Sequence, residues 1–313
     1  MKRTLFALSL AAACALNTSA ADKKIVLVAG RPSHGPGEHE HRAGCLLFKA
    51  CLDKIPGINA IVVSNGWPSD TSVFEGADAV VVYADGGGGH PFIQGERLQT
   101  IDALAKKGVG IGAVHYGCEV PKEKGGKEFL DWMGGYFEMF WSVNPHWDGE
   151  FKSFPNHAVA QGVNPFKIRD EWYYHMRFRD KMEGVTPILS ALPPKETLNR
   201  PDGPHSGNPD VRRAVLTNAE PQHVMWVSQN AGGGRGFGFT GGHFHKNWGQ
   251  DDFRKVVLNA ILWIAKVDVA QGGTPSTITP EFLTENLDPK GQRKPAAAKP
   301  AQPAKPAAPA ASK

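Results

Sequence analysis

Residues 108–117 read Gly-Val-Gly-Ile-Gly-Ala-Val-His-Tyr-Gly, an apolar run that closes on one imidazole between small residues. Residues 109–114 have the near-continuous apolar character of a strand covered on both faces. Ala113-Val114-His115-Tyr116-Gly117 then shows the small-x-tip-x-small spacing of a strand-to-helix elbow, a tight turn that lifts one side chain above the end of a sheet. A hydrolase would carry serine or cysteine at that tip. His115 suits acid/base chemistry or metal ligation instead, and a hydrolytic triad lacks its nucleophile. The plain alternative is a histidine bonded inside a buried turn. Cys118, three residues on, is expected to point elsewhere.

Outward from this strand the same pattern recurs. Residues 24–30 (KIVLVAG), 59–64 (NAIVVS) and 77–84 (ADAVVVYA) read as strands, and 40–54 and 91–107 as helices. Apolar strands alternating with amphipathic helices predict an α/β fold, a doubly wound and mostly parallel sheet with helices on both faces. In such sheets ligands bind beyond the carboxyl ends of the strands. The loops 31–41, 85–90 and 115–119 fall there.

The second half is less regular. Strands are expected at 185–192, 214–218, 224–228 and 236–240. A helix is expected over 251–266, with Phe253, Val256, Val257, Ile261 and Ile264 turned inward. The stretch 131–179 is rich in Trp, Tyr, Phe and His, and reads as an insertion folded over the sheet edge.

The ends differ from the middle. Residues 1–21 carry Lys2 and Arg3, an apolar run too short to span a bilayer and then small residues, the pattern of a Sec signal peptide cleaved after Ala20 or Ala21. Export to the periplasm follows from that reading. Lipidation at Cys14 is disfavoured by the alanines before it. Residues 290–313 are a Lys/Pro/Ala-rich run that offers no core and reads as a disordered tail. The whole chain has 35 basic and 31 acidic residues; the tail holds six of the basic ones and the leader two. The remaining 27 against 31 make residues 22–289 acidic, near −4, which argues against a nucleic-acid surface. No second apolar run reaches the ~20 residues of a membrane span. Cys45, Cys51 and Cys118 read as free, buried thiols.

Several strings carry chemistry. RPSHGPGEHEHRAG holds His34, His39 and His41 just past the first strand. Three imidazoles with an open position suit a catalytic divalent metal such as zinc, although the spacing matches no strong motif, and His39 and His41 equally read as the start of a helix. In RDEWYYHMRF, a strand would set Glu171, Tyr173 and His175 on one face, a carboxylate among rings of the kind that holds a sugar. GRGFGFTGGHFHKNW ends a strand in two glycines and presents His243 and His245, with Trp248 after them. Asp85 precedes four glycines that lack the Lys and Ser/Thr of a phosphate loop, so no nucleotide cofactor is expected.

In this order along residues 24–267, GAVH at His115, DEWYY at Glu171 and GGH at His243 resemble the ThuA-like (trehalose utilisation) family. SHGPGEHEHRAG, NGWPSD and FWSVNPHW extend the resemblance to a secreted branch of it. The resemblance implies a flavodoxin-like, class I glutamine-amidotransferase-like fold that has lost amidotransferase chemistry, since those enzymes carry cysteine where His115 stands. It also implies a pocket lined by His34, His115, Glu171 and His243, and a role in breaking down oxidised (3-keto) glycosides made by a partner sugar dehydrogenase. The leading expectation is a sugar lyase, hydrolase or isomerase. His115, Glu171 and His243 would be catalytic, Tyr173, His175, Trp248 and Asp85 would bind substrate, and His34, His115 and His243 would hold a metal. The other expectation is a non-catalytic periplasmic carbohydrate-binding protein that stacks sugars on Trp141, Trp147, Trp172 and Trp248.

Overall fold

The computed structural model describes residues 22–291. The expected signal peptide at 1–21, Cys14 within it, and all but the first two residues of the expected tail lie outside the described residues. In chain order the elements are β1 (Lys23–Ala29), α1 (His41–Leu52), β2 (Ile58–Val63), β3 (Ala79–Tyr83), α2 (Arg97–Lys106), β4 (Gly110–Val114), α3 (Lys127–Met133) and β5 (Gly135–Tyr136). There follow β6 (His146–Phe151), β7 (Phe166–Glu171), β8 (Arg177–Phe178), β9 (Val185–Ala191), α4 (Pro209–Arg212), β10 (Gln222–Gln229), β11 (Arg235–Phe239) and α5 (Asp251–Ile264).

The main sheet runs β2-β1-β3-β4-β11-β10-β9. The first five strands pair in parallel, and β10 and β9 add an antiparallel edge. Alternation along each parallel strand splits the core in two. Ile25, Leu27, Val81 and Tyr83 pack with α1 and α5, whereas Val26, Val28, Val80 and Val82 pack with α2 and α3. This two-sided burial is why the parallel strands read as unbroken apolar runs. Gly112 of β4 exists for packing: a Cβ there would lie 2.2 Å from the Phe237 ring of the next strand.

In α5 the expected inward set Phe253, Val256, Val257, Ile261 and Ile264 is buried. Each such side chain contributes about 1.5–3 kcal/mol relative to exposure, so a charge at Ile261 would detach the helix. Its start is set by Gln250, whose side chain accepts from the Phe253 N–H, and by Asp251 and Asp252 in the positive first turn.

Two expectations change. Residues 214–218 are not a strand: Asn208 caps α4 by accepting from Val211 N–H at 2.9 Å, Pro209 begins it, and a helical turn at Arg213–Thr217 continues it. A short apolar run does not distinguish strand from helix by periodicity. The 91–107 helix starts only at Arg97, behind a separate turn at Pro91–Ile93. The aromatic insertion contains an antiparallel hairpin, β6–β7, whose first strand (HWDGEF) alternates exposed and buried residues.

Candidate active site

The elbow is present. His115 follows β4 with φ +56, a left-handed conformation that is costly for any residue with a Cβ and concentrates at functional sites. Its side chain is fully buried. Nδ1–H donates to the Thr240 carbonyl at 2.8 Å, which leaves the Nε2 lone pair turned inward. Cys118 points away, toward the carbonyls of Ala113 and Phe239, and burial pushes its thiol up to about 12.

The loop after β1 sends in His39, not His34. His39 also has positive φ (+47). Its Nδ1–H donates to Asp85 at 2.7 Å, so its Nε2 lone pair faces His115 Nε2 at 3.1 Å. Burial pushes the His39 pKa down to about 2 despite the bond to Asp85, so the ring is neutral. His34 stacks on the outer face of His39, ring centroids 3.5 Å apart. His41 begins α1 and donates from Nδ1 to the Arg31 carbonyl at 3.1 Å.

The β6–β7 hairpin delivers the carboxylates. Asp170, fully buried, accepts from the N–H groups of Gly242 (2.8 Å), His243 (3.0 Å) and Glu171 (2.7 Å) and from the Asn247 amide (3.0 Å). It pins the Gly-Gly-His loop, where Gly242 takes φ +106 and so turns His243 inward. Glu171 ends β7 beside it. Its Oε2 lies 3.1 Å from His243 Nδ1 and 3.4 Å from His115 Nε2, and accepts from the Tyr173 hydroxyl at 3.4 Å. Burial alone would raise the Glu171 carboxyl, but the bonds to His115 and His243 outweigh it and hold it well below the usual carboxylate range. For His243 burial lowers the pKa, and Glu171 reverses the shift and raises it.

His39, His115, Glu171 and His243 thus offer four ligand atoms, all within 4.8 Å of one another. Neighbouring atoms are 3.0 Å (His39–His243), 3.1 Å (His39–His115), 3.1 Å (His243–Glu171) and 3.4 Å (His115–Glu171) apart. Ligands 2.0–2.1 Å from a zinc ion in tetrahedral array are separated by about 3.3 Å. Two imidazole lone pairs facing each other with both protons spent on outer acceptors repel, and a cation between them removes the repulsion. Outer bonds to Asp85 and Thr240 are the supports that metal-binding histidines carry. The residues present fit a divalent metal. His34, His39 and Asp85 form a second, more exposed group with the same reach.

A cleft of ≈ 450 Å³ reaches the centre through Glu171, lined also by Asn144, His146, Asp148, Arg169, Glu196 and Arg200. Asn144 donates to Glu171 Oε1 at 3.2 Å. Tyr173 lies buried against the centre, 3.3 Å from His115 Nε2. Three expected residues do other work. Trp248 is sealed in the core against Phe48 and Phe253 and offers no face to a sugar. His175 takes φ +55 beyond the end of β7, leaves the Glu171 face and stacks on Trp141. Asp85 orients His39.

Two supports carried no local signal that singled them out. Glu119, buried, accepts from His205 Nε2 at 3.0 and 3.1 Å and holds a loop whose His205 carbonyl accepts from Asn144 N–H. Lys290, read from sequence as the first residue of the tail, has its ammonium buried 3.2 Å from Glu40 and donating to the Glu38 and His39 carbonyls, so the C-terminal segment clamps the His39 loop.

Residues 26–264 match the family model described as ThuA, trehalose utilisation. Among solved structures, a ThuA-like protein from Bacteroides uniformis is similar at TM-score 0.53 and 14% identity, over 82% of this chain and 96% of that one. One from Parabacteroides merdae is similar at TM-score 0.53 and 15% identity, over 79% and 92%. At these identities the likeness concerns the fold. No curated protein matches the chain. Among the described residues no helix is long and apolar enough to cross a membrane.

Proposed function

The chain belongs to the ThuA family, and on that premise we propose that it is a carbohydrate-processing enzyme acting on 3-keto-glycosides at the centre formed by His39, His115, Glu171 and His243. The observation that carries the reading is the convergence of three imidazoles from three separate strand ends on one carboxylate that reaches a polar cleft. His39, His115 and His243 would hold a divalent metal, which when bound supplies a Lewis acid for a carbonyl oxygen.

A keto group acidifies the neighbouring C–H. Glu171, the member of the centre that reaches the cleft, takes that proton. The electron pair left behind forms an enolate, and the Tyr173 phenol donates to its oxygen. Collapse of the enolate expels the aglycone oxygen with the C–O electron pair, and the proton on Glu171 passes to it. If instead the neighbouring hydroxyl gives its proton to the enolate oxygen and Glu171 returns the first proton to the former carbonyl carbon, the ketone moves by one carbon and the reaction is an isomerisation. Asp85 and Thr240 keep His39 and His115 in the required tautomers.

In this reading the protein works in the periplasm on sugars oxidised by a partner dehydrogenase; N-terminal sequencing of the mature protein tests the export. Purified untagged protein should contain about one divalent metal and convert 3-keto-trehalose or a 3-keto-glucoside, with loss of turnover on chelation. No turnover under any metal condition removes the reading. The binding-protein alternative has less support, because Trp147, Trp172 and Trp248 are buried and Trp141 already carries His175 stacked on it and Arg177 against its ring.

A further inference from the structure

The chain has a second cleft, of ≈ 470 Å³, on the Asp85 side of the histidine centre. Its walls are the carboxyl ends of three strands: Gly30 and Arg31 after β1, Asn65 to Trp67 after β2, and Ala84 and Asp85 after β3, closed by Gln94 and Arg97 before and at the start of α2. In the order β2-β1-β3-β4, successive connections leave β1 in opposite directions, so the β1/β3 boundary is the topological switch point. Open α/β sheets bind ligands at that crevice. We propose that this cleft is a binding site for a small molecule bearing a carboxylate or phosphate.

The charge on the walls selects the class. The Glu171 cleft has three acids (Asp148, Glu171, Glu196) against two arginines, and Arg169 is 3.6 Å from Asp148. The switch-point cleft has two arginines against one acid, Asp85, which His39 already engages at 2.7 Å. Neither Arg31 nor Arg97 is ion-paired among the described residues. Arg97 is held in place, donating to the Pro91 carbonyl at 3.3 Å and lying 5.1 Å over the Trp67 ring, which also packs on Phe74 and Phe92. Arg31 is exposed, while its carbonyl is fixed by His41. A guanidinium presented on a fixed backbone matches an oxyanion with paired hydrogen bonds. Asp85 touches both the cleft and His39, so a ligand seated there lies one side chain from the centre.

The test is calorimetry on the full chain with glucuronate, glucose 6-phosphate and glucose, with no turnover needed, so its result is separate from that of the keto-glycoside assay. At least one of the two acids should bind about tenfold or more tighter than glucose, and Arg31→Gln should weaken that acid by about tenfold. Lys152→Gln, which removes a positive charge from an exposed site elsewhere, should leave it unchanged. Whichever acid binds identifies the group as carboxylate or phosphate. Glucose binding as tightly as the acids, neither acid binding, or unchanged affinity in Arg31→Gln would overturn the proposal. Arg31 is exposed, so its loss does not threaten folding; Arg97→Gln, which would release Trp67, is the weaker probe.

Discussion

The strand-end turns and the β6–β7 hairpin supply the centre by opposite means. His39 and His115 sit on left-handed turns, φ +47 and +56, where the backbone is strained and the side chain is buried. Asp170 and Glu171 sit on a relaxed antiparallel ladder, with Glu171 opposite His146. The turns trade local stability for aim, whereas the hairpin contributes both aim and stability. Function and stability should therefore separate in the turns and fall together in the hairpin.

The largest expected effect breaks the turn side. His115→Gly removes the imidazole from a position that glycine occupies without strain. Turnover of a 3-keto-glycoside should fall about 10³-fold and metal content should drop, while the urea midpoint holds or rises. A lower midpoint would show that the turn is not strained in the sense argued. The hairpin side comes next. Asp170→Ala leaves the N–H groups of Gly242, His243 and Glu171 and the Asn247 amide without their acceptor in a buried site. It should cost about 3 kcal/mol or more by chemical denaturation and lower turnover as well; loss of turnover at unchanged stability would contradict the pinning role.

The smallest effect sharpens the comparison away from the centre. His90, fully buried, donates from Nε2 to the Gly117 carbonyl at 3.1 Å and accepts the Phe92 N–H on Nδ1, so only its neutral form suits the fold. Burial pushes its pKa down to about 3, against 6.5 for the free side chain. Between these values the unfolded chain binds the extra proton, so this stability is present above pH 6.5 and is lost as pH falls toward 3. The slope is at most about 1.4 kcal/mol per pH unit. Urea midpoints at pH 7, 6 and 5 measure it, and His90→Gln should flatten the profile by that share.

Much of the fold was legible because a strand buried on both faces needs an apolar residue at every position, and that run stands out in one dimension. β1 to β4 were readable so, and the elbow at His115 from its small-residue spacing, whereas α2 begins at Arg97 rather than at residue 91. The 214–218 turn was not, since five apolar-rich residues suit either element and the Asn208 cap decides. The identity of His115, Glu171 and His243 as chemically able side chains is equally a matter of sequence. What only tertiary structure decided is which members of a crowded set meet. Both His34 and His39 sit on left-handed turns, φ +59 and +47, and His39 enters the centre because Asp85, from another strand, holds its ring at 2.7 Å while His34 stacks outside it. Trp248 goes to the core because α1 and α5 enclose it, and Lys290 joins the site because the C-terminal segment folds back over the His39 loop. Such choices rest on contacts between residues far apart in the chain, and local pattern carries no record of them.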